Sequence, residues 1–536
     1  MAEAEPATMA GLSGAQSTFA AKPRIDFLSR VAVVVIAGAL AVGCGSDGGT
    51  GGPPEPPEVN PSTGCEGRLE PVAPRGNVEV VGTGDAGSCT EEALHRAVAA
   101  LNDAGDEGTL AFDCGGAHEI TLSESVFVET SMVIDGGGEI TLSGGESVRV
   151  IELDHHLDFV LQRIAIRDGY VPAGSENESG AGLLHPWYGT LEVIDATFEN
   201  NHSASQTNDV GGGAIYAGGL THAVISGSTF AGNSGSIGGA VLSRSTNLRV
   251  VDTVFRNNEA TSWAESGQYG NGGGLYIDRM WLDDPQDFVI CGGVFENNRA
   301  QVHGSAFFSY NLEGTGAVFD RCTFADNDME GSPGGGTGTV YHEGVPLSLA
   351  HSTFSGNTTG DHASGLFLGG GTDATVVNCT FANNATPGNA GALWAGNGQV
   401  DVRHSTFAGN TADYAPAIFK GTSGEVTLTG NVFASNGTDN EFSALACHET
   451  FGDGGGNVQW PDTKNNGNAD TPCTDAVVFA DPRLEPLADH GGATETMALP
   501  GDSPAAGAVT EDCPAYDQRG EPRQPPCAAG AFEPGM

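Results

Sequence analysis

"FAGNSGSIGGAV", Phe230–Val241, is the stretch whose reading decides the fold. It sets Phe, two spacers and Asn ahead of a short gap, then Gly-Gly-Ala and a β-branched residue. The first half recurs as FENN at Phe198, FRNN at Phe255, FENN at Phe295, FADN at Phe324, FSGN at Phe354, FANN at Phe381, FAGN at Phe407 and FASN at Phe433. Successive spacings are 32, 25, 40, 29, 30, 27, 26 and 26 residues, a floor near 25 with variable excess. Such a pattern describes a fixed unit with insertions in its loops, the signature of a solenoid. The second half returns as GGAI at Gly212, GGGL at Gly272, GSAF at Gly304, SGLF at Ser364 and AGAL at Ala390.

Around these phrases apolar residues alternate in short runs, as in TLEVIDATF and TDATVVNCTF, and turn residues follow within a few positions. Period-two runs of that length are strands. Three strands and three turns occupy about 25 residues, and stacking each strand on its copy in the next unit gives parallel sheets around one narrow core. The predicted fold is therefore all-β, a right-handed parallel β-helix with Phe and Asn stacked in ladders and glycines at corners. One convincing helix precedes it, CTEEALHRAVAAL from Cys89 to Leu101, with Thr90 as N-cap and one apolar face, suited to plugging the open end of the stack.

Charge and cysteine narrow the function classes. Asp and Glu total 68 against 21 Lys and Arg, the only lysines being Lys22, Lys420 and Lys464, for a formal net charge of −47. A surface so acidic repels phosphate backbones, which excludes nucleic acid as a partner. Near the N-terminus, Lys22, Arg24 and Arg30 lead into the apolar run Val31–Gly43 and then Cys44, the order of a secretory signal. The run is too short to span a bilayer, and Gly45–Gly64 is a Gly/Pro tether, so contact with membrane is expected only through an anchor. Removing Cys44 leaves ten cysteines in an oxidising context. Short loops favour Cys89 with Cys114, Cys447 with Cys473 and Cys513 with Cys527, while Cys291 and Cys322, about one repeat apart, are expected to meet on neighbouring coils; Cys65 and Cys379 are left unassigned. No CxxC pair occurs, so metal binding by cysteine is not expected.

Three resemblances follow from these phrases. LAVGCGS resembles a bacterial lipoprotein signal, which implies lipidation of Cys44, and Gly45 in place of Asp implies passage to the outer membrane. The FxxN and GGA[ILV] phrases resemble the repeats of polymorphic outer-membrane proteins and of pectate-lyase-like right-handed β-helices over about residues 119–440. DPRL, HGGATET, GDSPA, DQRG and GAFE, between Asp481 and Glu533, resemble the choice-of-anchor Q domain, which implies a disulfide-stapled C-terminal cap on an exported chain. The expected organisation is signal 1–43, lipid anchor and tether 44–64, N-terminal cap with helix 65–118, β-helix 119–440 and C-terminal region 441–536.

Chemistry is less legible. A uronate lyase needs a cationic base and a means of neutralising its substrate's carboxylates, yet the predicted coils hold one lysine, Lys420, and scattered arginines. A glycoside hydrolase needs two carboxylates facing one groove, and no motif supplies them. Trp187 and Tyr188 follow one strand, and Trp281 with Asp283 and Asp284 follows the strand predicted three coils on, so these five are the candidate ligand-binding residues. No cofactor is read from the sequence beyond Ca²⁺, for which Asp283 and Asp284 are candidate ligands that fall short of a full oxygen shell. The expected function is non-catalytic binding or adhesion to a glycan or cell-surface partner; a polysaccharide lyase or glycoside hydrolase is the alternative, and a structural surface protein the third.

Overall fold

A computed structural model describes residues 60–535, apart from 208, 263–269, 280–281, 283–284, 312–313 and 330–335. Cys44, Trp281, Asp283 and Asp284 lie outside the described residues. The chain forms a right-handed parallel β-helix. Twenty-six strands make one continuous sheet with two wings, because the long strands Met132–Ser143 and Leu157–Arg167 run through the corner between them. An 11-stranded sheet faces the wings, and a four-stranded sheet of two-residue strands fills the remaining corner. All named strand pairings are parallel, as they must be when each coil repeats the path of the one before.

The FxxN phrase explains the second wing residue by residue. Each Phe is in register with the next, Phe198 on Phe230 through to Phe407 on Phe433, with ring centroids 4.7 to 5.3 Å apart. Two residues on, the backbone turns into the left-handed region at Asn200, Gly232, Asn257, Asn297, Asp326, Gly356, Asn383, Gly409 and Ser435. Only Gly and short polar residues enter that region at little cost, hence the restricted chemistry of this position. The Asn that follows points inward. Asn357 Nδ2 donates to Phe324 O at 2.8 Å and to Asn384 Oδ1 at 2.8 Å, while its Oδ1 accepts from Asn327 N and Nδ2 at 3.0 Å. The chain of amides runs unbroken from Asn201 to Asn436.

The GGA phrase makes the corner leading into the 11-stranded sheet. Gly212, Gly238, Gly272, Gly304 and Gly338 have positive φ, and a Cβ on Gly212 would lie 2.1 Å from Ile215 O. Later coils hold the same conformation with Ala363, Ala390 and Ala415, so the corner does not require glycine everywhere.

A second inward column lines the corner between the wings. There Ser352 Oγ accepts from Cys322 N at 3.0 Å, Ser405 Oγ from Cys379 N at 3.2 Å, and Asn431 Oδ1 from Ser405 N at 2.9 Å. This column corrects one expected disulfide. Cys322 is buried inside the coil and free, as is Cys379, whereas Cys291 is in register with Asp320 on the opposite face and bonds to Cys65. Two cysteines facing opposite sides of a strand cannot meet, however close their coils. Cys89–Cys114, Cys447–Cys473 and Cys513–Cys527 are bonded.

Helix Glu91–Ala104 closes one end. Thr90 Oγ1 accepts from Ala93 N, Gly105 ends the helix at φ 70°, and Ala93, Leu94, Ala97, Val98 and Leu101 are buried. Strands Asn77–Val81 and Gly108–Phe112 already pair in the main sheet, so the coil stack reaches into residues 65–118. At the other end Gly452–Gly455, Val458–Trp460 and Val478–Phe479 continue the wings.

Both terminal segments then lie along the corner between the wings. The N-terminal strap is held by Cys65–Cys291, by Leu69 N on Ser226 Oγ, by Val72 N on Gln162 Oε1 and by Arg75 N on Thr109 Oγ1. Residues 481–535 fold back onto the flank instead of only capping the end: Gln518 bonds Thr353 and Thr380, Thr494 donates to His351 O, and Arg523 donates to His404 Nδ1 at 2.8 Å.

Candidate functional site

Strands of the 11-stranded sheet alternate inward and outward, as period two requires. Ile215, Val241, Leu275, Phe307, Val340, Leu366, Leu393 and Ile418 point into the core. The residue after each therefore points out, and these are Tyr216, Leu242, Tyr276, Phe308, Tyr341, Phe367, Trp394 and Phe419, all in register. From Tyr276 onward the rings stack at 4.9, 4.9, 4.9, 5.4 and 4.3 Å, and His448 continues the column 4.6 Å beyond Phe419. Ring faces are spent on each other along the axis, so the column turns its ring edges away from the core. Those edges carry the positive rim of each aromatic quadrupole.

Polar groups border this ridge on both sides. Arg244, Asp278, Tyr310 and Glu343 form one outward column in register. Arg244 lies 3.4 Å from Asp209 and 3.5 Å from Asp278, and Tyr341 donates to Glu343 Oε2 at 2.8 Å. On the other side His303 packs 5.0 Å from Tyr341, His362 5.1 Å from Trp394, and Tyr414 6.1 Å from Phe419.

Burial dominates the electrostatics. It pushes the Asp278 carboxyl up against the opposing pull of Arg244, and Asp278 Oδ1 is buried with no hydrogen-bond partner among the described residues. It raises the Tyr276 and Tyr341 phenols and lowers His303 to about 4, so that this imidazole is neutral at pH 7.

What the arrangement can do is hold a ligand. Asp278 and Glu343 stand two strands apart, roughly 10 Å at the parallel spacing. They also lean apart: Asp278 faces Arg244 on the strand before, while Glu343 lies over Gly369 on the strand after, where a Cβ would come within 2.5 Å of Oε2. Diverging from that base distance, they exceed the ~6.5–9.5 Å of an inverting pair. Among the described residues no three His, Cys, Asp or Glu side chains are grouped to hold a metal ion, and Arg244 already stands by both Asp209 and Asp278.

Of the residues singled out from sequence, Trp187 and Tyr188 are together at the corner after strand Leu183–His185, 47 and 54 % exposed. Tyr188 stacks on His156 at 4.6 Å, and Trp187 lies on Gly219, where a Cβ would sit 2.1 Å from its ring. They precede the Arg244–Glu343 column by two strands and contribute no group to it. The ridge itself escaped sequence reading, although its signal was present in the residue following each GGA[ILV] phrase. A cavity of about 500 Å³ lies between strap, corner and C-terminal lobe, but its two guanidiniums are committed, Arg321 to Asp320 and Thr63 O, Arg519 to Asp517 and Glu533 O.

Comparison with known proteins agrees on fold. Residues 288–439 match the right handed beta helix region, and residues 195–218 match the Chlamydia polymorphic membrane protein repeat. No curated protein matches the chain. A solved structure described as "complex structure of alginate lyase AlyF-OU02 with G6" is similar over 76 % of this chain and 89 % of its own, at 10 % identity and a TM-score of 0.28. At that score the likeness carries no argument about activity.

Proposed function

We propose that this chain is an exported, lipid-anchored β-helix that binds a glycan or cell-surface partner without altering it, using the outward face of the 11-stranded sheet. The observation that carries this reading is the aromatic ridge, partly exposed at Tyr276, Tyr341, Phe367, Trp394 and Phe419 and buried at Phe308, bordered by hydrogen-bonding groups on a molecule whose other corner is covered by its own strap and lobe. The diverging carboxylates favour binding over hydrolytic cleavage. Export is supported by four disulfides and by the match to a membrane-protein repeat, and anchorage by the order of charged, apolar and small residues before Cys44. In the same reading the C-terminal region is a choice-of-anchor Q-like lobe, since Asp517, Gln518 and Arg519 of its DQRG phrase make its main lobe and flank contacts.

A glycan array probed with the full chain, alongside Phe367→Ala/Trp394→Ala, tests the proposal. Binding to saccharides that drops at least about tenfold in the double variant, with no product released, is expected. Undiminished binding in that variant, or release of shortened saccharides, overturns it.

A further inference from the structure

The ridge has a period as well as a chemistry. From Tyr276 to Phe419 its rungs are 4.3 to 5.4 Å apart, because each is carried by one strand of a parallel sheet. An extended peptide lying along it would present same-face side chains only every ~6.6 Å and would slip out of register within a few rungs. A linear chain of pyranose rings advances by about one ring per rung. A chain lying crosswise would meet a single strand and leave the remaining rungs unused.

Charge selects further. The formal net charge of −47 repels polyanions, so uronate polymers and nucleic acids are disfavoured before contact. Neutral hydroxyls suit the groups present. Glu343 accepts, and Tyr310, 36 % exposed beside it in the column, donates or accepts. Ring edges offer their positive rim to ether and hydroxyl oxygens.

Resting on the binding reading above, we infer that the ligand is a neutral, extended polysaccharide chain lying along the helix axis on the Tyr276–Phe419 ridge, with its hydroxyls held on one side by Tyr310 and Glu343. The site is a lengthwise track, and its affinity accumulates rung by rung.

The test uses the full chain with neutral β-1,4-linked gluco- and manno-oligosaccharides of two to six residues, read by calorimetry, with oligogalacturonate of equal length as the acidic counterpart. Affinity for at least one neutral series is expected to rise about threefold or more per added residue, and Tyr310→Phe and Glu343→Gln are each expected to weaken the longest oligomer about tenfold with circular dichroism unchanged. Affinity that stops rising at the disaccharide overturns the lengthwise track. Equal affinity for oligogalacturonate overturns the neutral ligand, and unchanged binding in both variants overturns the polar column. If no saccharide binds at all, the binding reading itself falls with it.

Discussion

Replacing Asn357 by Leu removes one rung from the amide ladder at a place where neighbours lie on both sides. The wild-type side chain makes four hydrogen bonds, and none of its atoms meets solvent. Their loss strands the Asn327 amide N–H and one N–H of the Asn327 carboxamide, whose other N–H keeps Phe295 O, while the Phe324 carbonyl keeps its place in the parallel ladder with strand Thr353–Ser355. Asn384 Oδ1 keeps the backbone N–H of residue 357. At about 1–3 kcal/mol for each stranded buried group, two groups give a cost of roughly 2–6 kcal/mol. Asn436, the last rung, loses three bonds, to Phe407 O and from Asn410 N and Nδ2, and strands nearly the same groups. Asn436→Leu is therefore expected to cost only slightly less, by its slight solvent exposure. Guanidinium unfolding followed by circular dichroism measures both, and hydrogen exchange locates the loss. For Asn357→Leu, protection should fall first in the coils flanking residues 324 to 384, since a solenoid's stability is set by nearest-neighbour contacts. A destabilisation below ~1 kcal/mol with unchanged exchange would refute the ladder as a source of stability.

Removing the strap's covalent tie, Cys65→Ser with Cys291→Ser, opens a loop of 226 residues and should cost roughly 5 to 5.5 kcal/mol of chain entropy, read in thermal unfolding. Cys322 and Cys379 should resist thiol reagents until the chain unfolds, because both are fully buried and burial pushes the Cys322 thiol up to about 12; labelling of the native protein at either would contradict their inward column. His404, buried against Arg523, is held down to about 3 from an ordinary value near 6.5, so the folded state binds fewer protons than the unfolded one between those values. Stability of the docked lobe should accordingly fall as pH drops from about 6.5 toward 3, and His404→Gln should flatten that fall in limited proteolysis. Fatty-acid labelling in cells should disappear in Cys44→Ser; equal labelling would remove the lipid anchor from the proposed function.

Much of the architecture was legible because a solenoid repeats its physics in its sequence. Phe230 and Asn233 could be placed in ladders from spacing alone, since every coil must stack like on like. The spacer before each Asn was not read from the sequence, although Asn, Gly, Asp or Ser recur there, where the backbone turns left-handed. The helix at Glu91–Ala104 was equally plain from its cap and single apolar face.

The site was not legible to the same degree, and the reason is one of contact. Trp187 stood out in the sequence because a tryptophan in a loop draws notice, yet its ring lies on the backbone of Gly219. Tyr276, Phe308 and Trp394 did not stand out, because each belongs to its own strand and becomes part of a ridge only when six strands align. The sequence by itself determined the coil, its ladders, its corners and the sign of its charge, all of which follow from local preference repeated at a fixed period. Only the tertiary structure decided which cysteine meets Cys65, where the C-terminal lobe lies and which face stays open. Those depend on which side of a strand a residue faces and on contacts between residues hundreds of positions apart, as with Cys65 and Cys291 or Gln518 and Thr353. No local periodicity encodes such distances.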